Sequence, residues 1–239
     1  MTPRNSVPVS RLAAITIAAL ACALAACAKG GASRAGGTDP GPAKPIALLA
    51  PRLDLPAPLM KALADRRSTR DFAGRPLDLR LLSDLLWAAD GVNRKDSGKR
   101  TAPTAMNRQD LDVYAATADG LYLYDAKAHA LAPVLSQDVR ALAGKQGFVA
   151  SAPLDLIYVS DLSKVPGTER EEKLLMAGAH AGFVSQNVYL YCAAVGLATV
   201  VRAYIDKPKL AAAMKLAADD VIVLSQTVGY PGDAADAGE

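Results

Sequence analysis

Three arginines and two hydroxyl-bearing residues occupy five consecutive positions, Arg66, Arg67, Ser68, Thr69 and Arg70. A guanidinium group donates hydrogen bonds in a planar fork that suits a phosphate group, and a serine hydroxyl adds a neutral donor. The segment therefore predicts a binding site for a phosphate monoester. The alternative is a solvent-exposed run of charge, because an aspartate flanks the segment on each side.

A second candidate segment, residues 103–109, contains Thr104, Asn107 and Gln109 directly before a strand-like run that begins at Leu111. Side-chain amides carry both donors and acceptors, which suits the polar edge of a heteroaromatic ring. A simple turn ahead of a strand is the alternative interpretation, and the loop alone does not decide between the two.

Apolar periodicity predicts the elements that position these segments, in an α/β pattern from Ile46 onward. Asp78 is the predicted N-cap of a helix that ends at Gly91, with apolar residues at helical spacing between them. Asp119 and Gly120 predict a hairpin turn. The other predicted elements are strands at residues 111–118, 121–125, 154–159 and 221–228 and a helix at residues 206–216.

Residues 174–201 form a stretch of 28 residues without Asp, Glu, Lys or Arg, which is long enough for a membrane span. However, His180 and other polar side chains lie in its middle. We therefore predict a central helix at about residues 172–195 and a strand at about residues 198–203.

The composition excludes one functional class. A chain of 239 residues has room for one α/β domain with a sizeable core, or for two small domains. The formal net charge is +3, and without residues 1–26, which hold two arginines and no acid, it is +1 (25 basic against 24 acidic side chains). Binding to nucleic acid requires a strongly basic face, so no nucleic-acid partner is expected.

The N-terminus has the order of a bacterial export signal. Arg4 and Arg11 precede an apolar run at residues 12–23, and small residues follow. The run ends in Leu-Ala-Ala before Cys27, which resembles a lipoprotein signal with Cys27 as the acylated residue. The alternatives are a transmembrane helix, for which the run is short, and a plain signal cleaved near Ala26. We expect a lipid-anchored envelope protein at the outer membrane, facing the periplasm.

The expected organisation has four parts. Residues 1–26 are a signal peptide, residues 27–45 are the lipidated cysteine with a Gly- and Pro-rich flexible linker, residues 46–232 form one domain, and residues 233–239 are an acidic tail. Cys192 is then the cysteine that remains unmodified, so no disulfide bond is expected within the mature chain. The sequence contains no Cys/His cluster that predicts a metal site.

Several segments, taken in order, resemble the nitroreductase family. They are Arg66-Arg-Ser-Thr-Arg-Asp-Phe, Leu-Leu-Trp-Ala-Ala-Asp-Gly at 85–91, Arg-Thr-Ala-Pro-Thr-Ala at 100–105, Gly-Leu-Tyr-Leu-Tyr-Asp at 120–125, Ala-Ala-Val-Gly-Leu-Ala-Thr at 193–199 and Val-Gly-Tyr-Pro at 228–231. The resemblance covers about residues 50–232. It is nearest to the branch of azoline-forming (thiazole/oxazole) dehydrogenases.

The resemblance implies an α+β sandwich in which a mixed sheet is flanked by helices. It also implies an obligate homodimer with two FMN sites at the interface, each built from both subunits. Hydride would pass through flavin N5 to or from a small organic substrate, so no catalytic side chain is expected.

By position in the family pattern, Arg66 and Ser68 would hold the FMN phosphate, and Arg67 would lie near the ribityl chain. Arg70 would approach the ribityl and pyrimidine side of the flavin. Positive charge there favours the anionic reduced flavin and so tunes its redox potential.

The resemblance assigns the rest of the site to two other segments. Thr104, Asn107 and Gln109 would come from the partner subunit and contact the ring and the ribityl hydroxyls. Backbone groups near Arg202 and Ala203 would lie beside the N5 edge.

The chain departs from the family pattern at three places. Arg202-Ala203 stand where many members have glycine, so an arginine side chain is expected either to narrow the pocket or to recruit an anionic substrate. The loop continues with Asp110-Leu111 rather than Pro-Trp. The tail at residues 233–239 is acidic where a basic residue often completes the phosphate site, which weakens the expectation of tight FMN binding.

The leading hypothesis is an FMN-dependent oxidoreductase of the cell envelope that acts on a small organic substrate. The rival is a non-catalytic binding module that kept the fold and lost or weakened FMN binding. An azoline-forming dehydrogenase would need a basic catalytic pair that we cannot assign in this chain, and export would separate it from a ribosomal peptide substrate. Outside the inner membrane NAD(P)H is scarce. We therefore expect either a different electron donor or a reaction in the dehydrogenase direction, in which the substrate reduces the flavin.

Overall fold

The computed structural model describes residues 43–232, so the predicted signal peptide, Cys27 and the acidic tail lie outside the described residues. The elements are β1 (Ile46–Ala47), α1 (Leu59–Asp65), β2 (Phe72–Ala73), α2 (Leu79–Asp90), β3 (Val92–Arg94), β4 (Lys99–Arg100), β5 (Leu111–Thr117), β6 (Gly120–Asp125), β7 (Ala130–Leu135), β8 (Leu154–Asp161), α3 (Arg170–Val195), β9 (Ala198–Arg202), α4 (Lys207–Met214) and β10 (Asp220–Pro231). Short 3₁₀ turns lie at Ala105–Asn107 and Arg140–Leu142.

The main sheet has the strand order β1-β7-β6-β5-β8-β10-β2, and β9 pairs with β10 on the same edge as β2. The predicted α+β class is confirmed. The expectation of mixed strand directions is wrong for the described residues, where each strand pair is antiparallel. Tight connections between consecutive strands, such as the predicted hairpin at Asp119-Gly120, account for part of this because they reverse the chain direction.

Helices cover both faces of the sheet. On β8, Leu156 and Tyr158 pack into a cluster with α2 and α3, whereas Ile157 and Val159 pack into a second cluster with α4. This alternation is the period of two that a strand imposes on its side chains. The described residues therefore form a large hydrophobic core on each side of the sheet, as predicted for a sheet flanked by helices, and a third, small cluster at Leu162, Val165 and Ala177.

The long uncharged stretch forms the central helix and the strand that were predicted, α3 and β9. Among the described residues, no helix is long and apolar enough to cross a membrane. Helix α2 begins after Asp78, whose Oδ1 accepts a hydrogen bond from the Leu81 N–H at 2.8 Å, and ends at Gly91. A Cβ atom at Gly91 would collide with the Trp87 ring, so close packing, rather than a left-handed backbone, requires glycine there.

The last strand continues further than predicted. Strand β10 extends from Asp220 to Pro231, whereas the prediction ended it at residue 228 before Gly229-Tyr230-Pro231. Its final residues are extended because Tyr230 and Pro231 pair with Ala73 and Phe72 of β2.

Among the described residues, two arginine–aspartate pairs lie in the interior. Asp155 contacts the Arg202 guanidinium, and Asp90 contacts the Arg100 guanidinium. Burial raises the pKa of Asp90 to about 7, and the charge of Arg100 and its hydrogen bond only partly offset this effect. Because a buried charge is costly, each carboxyl group depends on its arginine when ionised.

The Asp90 pair predicts a pH dependence of stability. Its folded-state pKa of about 7 lies above the value of about 3.9 for an unfolded aspartate. The folded state therefore binds more protons between these values, and stability decreases as the pH rises through them. We expect the free energy of unfolding of the wild type, relative to Asp90→Asn, to fall by on the order of a few kcal/mol between about pH 4 and pH 8.

Denaturant titrations at a series of pH values measure this difference. The exposed Asp96→Asn variant is the matched control and should show a flat difference from the wild type. A difference for Asp90→Asn that stays constant or increases with pH would show that Arg100 keeps Asp90 ionised throughout.

Candidate functional site

Tyr189 of α3 fixes the arginine-rich segment in place. Its hydroxyl lies 2.7 Å from Ser68 Oγ and accepts a hydrogen bond from the Val201 N–H at 3.0 Å. The Thr69 N–H donates to the Thr199 carbonyl at 3.0 Å, so the segment also follows the backbone of β9. Tyr189 is buried, and these bonds therefore join three chain segments at one point.

A cavity of about 530 Å³ opens beside this junction. Lys61, Arg66 and Arg67 contribute positive charge to its wall, and Asp65, which pairs with Lys61, contributes one negative charge. Small residues from the end of α3 and the start of β9 form much of the remaining surface, which lets a ligand approach the backbone closely. The wall has a net charge of +2, from three cations and one acid, and suits a phosphate group.

The structure brings together only part of the first predicted segment. Arg66, Arg67 and Thr69 line the cavity. The guanidinium of Arg66 also lies over the Tyr189 ring, 5.4 Å from its centroid. Ser68 directs its hydroxyl to Tyr189, and the exposed Arg70 lies outside the cavity wall.

The second predicted segment forms a strained turn. Asn107 and Gln109, like Met106 between Thr104 and Asn107, have positive φ angles of 54°, 48° and 53°, which non-glycine residues adopt only when their surroundings hold them there. The Thr104 hydroxyl accepts a hydrogen bond from the Gln109 N–H at 2.9 Å. Backbone strain of this kind is typical of ligand-binding loops.

A buried histidine that the sequence interpretation left without a role holds this turn. His180 Nε2 accepts a hydrogen bond from the Ala105 N–H at 2.9 Å. On the other side of the ring, Nδ1 lies 2.7 Å from Asp110 Oδ1, and Ser160 Oγ donates to Asp110 Oδ2 at 2.7 Å. The departure from the family pattern at Asp110 therefore places a carboxylate beside the His180 ring. The one available sequence signal was a histidine within the uncharged stretch at residues 174–201.

Within one chain, the arginine-rich segment and the turn that carries Asn107 lie apart. Their anchors on α3, His180 and Tyr189, are nine positions apart in the same helix, which corresponds to about 13 Å along its axis. Thr104, Asn107 and Gln109 do not line the cavity at Arg66 and Arg67.

Arg202 differs from the expectation for its side chain. Its guanidinium is buried, donates to Asp155 Oδ1 at 2.5 Å and to the Ala143 carbonyl at 3.3 Å, and also contacts Thr227. The side chain therefore neither narrows the cavity nor offers a charge to a substrate, because it points into the core. Ala203 is exposed and follows the end of β9.

The cavity contains no reactive thiolate. Cys192 lines it, but complete burial raises the pKa of the thiol well above its usual range, so the sulfur stays protonated. Within residues 43–232, no group of His, Cys, Asp and Glu side chains is arranged to hold a metal ion.

Comparisons with known proteins agree on one family. The Nitroreductase family pattern matches residues 63–230. A protein of Methanocaldococcus jannaschii, named as a nitroreductase, is 35% identical over 152 residues, which are 59% of this chain and 76% of that protein. A Ralstonia eutropha crystal structure, also named as a nitroreductase, shares 40% identity and a TM-score of 0.75 and covers 83% of this chain and 97% of its own.

A more distant structure shares the fold. The E. coli microcin synthetase complex, solved with a truncated pro-peptide bound, contains a chain that is 21% identical with a TM-score of 0.61 and covers 72% of this chain and 73% of its own. At this identity the likeness establishes the architecture alone. The family pattern and the two closer relatives establish more: the chain belongs to the nitroreductase family.

Proposed function

We propose that this protein is an FMN-dependent oxidoreductase of the cell envelope that works as a homodimer on a small organic substrate. The observation that carries the proposal is the cationic cavity at Arg66 and Arg67, beside the small residues of α3 and β9. From the sequence motifs we also propose that the chain is related to the azoline-forming dehydrogenases of this family. The proposal does not extend to the substrate of those enzymes.

The residues present fit the cofactor. The phosphate of FMN carries a charge of about −1.5 to −2 at neutral pH, and the cavity wall supplies a net charge of +2 from Lys61, Arg66 and Arg67 against Asp65. Arg66 and Arg67 would hold the phosphate, and the small residues Gly196 and Ala198 leave room for the ribityl chain. Ser68 supports them indirectly, because its hydroxyl fixes the segment on Tyr189.

The chemistry then requires few side chains. Bound FMN supplies a centre at N5 that accepts and releases hydride. The chain's own groups bind and orient: the arginines hold the phosphate, and the backbone at Arg202 and Ala203 would face the N5 edge. No acid or base in the cavity wall needs to move a proton, and the buried Cys192 thiol stays protonated.

The separation of the two segments supports a site shared between subunits. Thr104, Asn107 and Gln109 lie near the other half of α3, so a second copy of the chain would have to bring them to the cavity. Exposed apolar side chains on α1 and α3 offer a surface for that copy. They are Leu59, Met60, Leu63, Leu175 and Phe183.

Loss of the phosphate ligands should weaken cofactor binding. Each charge-assisted hydrogen bond contributes about 1.5–3 kcal/mol, so Arg66→Ala/Arg67→Ala should raise the Kd for FMN by about 100-fold or more. Titration of the purified protein with FMN, followed by flavin fluorescence, measures this change. Arg170→Ala, at the exposed start of α3, is the matched control and should leave the Kd unchanged.

A wild-type protein that is colourless and takes up no added FMN would instead favour the non-catalytic binding module. In that case the two arginine substitutions would leave the properties of the protein unchanged.

Subunit mixing tests the shared site. Asn107→Ala, like Arg66→Ala/Arg67→Ala, should weaken both FMN sites of its own homodimer. In a heterodimer of the two variants, one site contains both defects and the other contains neither. Co-expression with two different affinity tags should therefore yield heterodimers in which half of the sites bind FMN as tightly as the wild type. Heterodimers without any such site would show that both segments act within one subunit.

The envelope location rests on Cys27, which precedes the described residues. If Cys27 carries the lipid, Cys27→Ser should abolish metabolic labelling of the full-length protein with a fatty acid. The variant should also move from the membrane fraction to the soluble fraction. Cys22→Ser is the control, because residue 22 would leave with the signal peptide. Unchanged labelling of Cys27→Ser would contradict the lipid anchor.

A further inference from the structure

A second, larger cavity of about 960 Å³ lies away from Arg66 and Arg67. It is bounded by the end of α2, the β3–β4 hairpin, the turn after β6 and residues 50–53. Its volume falls in the upper part of the range that small-molecule pockets occupy. The proposed role of the first cavity leaves this one without a function.

The charge of its wall has one sign. Lys95, Arg100 and Lys127 line the cavity, and within residues 43–232 no aspartate or glutamate does. Among residues 43–232, neither lysine forms an ion pair. Asp90 lies behind the wall, where it pairs with Arg100. The exposed Asp96 lies beside Lys95 in the hairpin but outside the wall.

Other residues of the wall are apolar. Trp87 is half-buried, and its Nε1–H donates to the Val92 carbonyl at 3.3 Å, so the indole ring is held in one orientation. Leu53 and Val92 extend this surface. A wall that contains both an indole ring and several cations is suited to a ligand with an apolar body and a negative charge.

The wall is also preorganised. His129 lies between the Tyr124 hydroxyl and the Leu49 carbonyl, each at 2.9 Å from a ring nitrogen. Gln109 Nε2 donates to the Gly98 carbonyl at 3.0 Å and so joins the hairpin to the turn that carries Thr104. Ligand binding therefore would not have to order these segments.

We infer that this cavity binds small organic anions that have an apolar body, with the negative group at Lys95, Lys127 and Arg100 and the body against Trp87. The inference rests on the proposed function for one step. Gln109 lines this cavity and belongs to the turn proposed to reach the partner subunit's flavin, so the bound anion would lie beside that flavin as its substrate.

Trp87 is the single tryptophan of the chain, so indole fluorescence reports on this cavity. Benzoate and benzamide share a ring and a similar size but differ in charge, and they serve as the probes. In the full-length protein, benzoate should change the fluorescence saturably, with a Kd about tenfold or more below that of benzamide. Added salt should weaken the binding of benzoate.

Two variants locate the charge. Lys95→Ala/Lys127→Ala should raise the Kd for benzoate by about tenfold and leave the Kd values for benzamide and FMN unchanged. Lys99→Ala is the matched control, because Lys99 lies in the same hairpin but outside the wall, and it should behave as the wild type. Equal binding of benzoate and benzamide, or equal effects of the two variants, would overturn the inference.

The same titrations separate this inference from the flavin assignment. A protein that binds FMN but gives no saturable response to benzoate would overturn the anion site and leave the proposed function standing. A protein that takes up no FMN but prefers benzoate through Lys95 and Lys127 would support the anion site and remove the flavin function.

Discussion

The hydroxyl group of Tyr189 is the contact on which the candidate site depends. It bonds to Ser68 of the arginine segment and to the backbone of Val201 in β9, and both partners are distant from it in sequence. Without this hydroxyl, the segment that carries Arg66 and Arg67 would be joined to β9 through the Thr69–Thr199 backbone bond. The positions of the two guanidinium groups therefore follow from the burial of one aromatic side chain in α3.

Helix α3 also holds the turn at residues 103–109, through His180, at a different position along its axis. His180 Nε2 accepts a hydrogen bond from the Ala105 N–H, and Asp110, which accepts from Ser160, lies 2.7 Å from the other ring nitrogen. Because both anchors belong to one helix, the distance between the arginine segment and the Asn107 turn cannot change without bending α3. A rigid spacing of this kind explains how a site divided between two subunits would keep its geometry, since each subunit presents both halves at fixed positions.

Local signals in the sequence were sufficient for most of the longer elements, but not for β7 or the short strands β1 to β4. Asp78 before a run of leucines predicted α2, and Asp119-Gly120 predicted the β5–β6 hairpin, because capping and turn chemistry act over a few residues. Contacts between distant residues account for what was missed. The last residues of β10 are extended because they pair with β2. The direction of the Arg202 side chain depends on its contact with Asp155 of β8. Arg66 and Arg67, predicted as phosphate ligands, line one cavity, but the sequence could not show that the Ser68 hydroxyl bonds to Tyr189.

Charge is distributed in a way that the composition conceals. The chain beyond residue 26 is almost neutral, with 25 basic and 24 acidic side chains, yet both large cavities have cationic walls. Elsewhere the described residues pair acid with base: Asp155 neutralises Arg202 in the core, and Asp84 pairs with Arg52 and Arg80. Clefts that keep one sign of charge attract ligands of the other sign. The positive charge of the two walls is therefore consistent with an anionic cofactor at one cavity and an anionic substrate at the other.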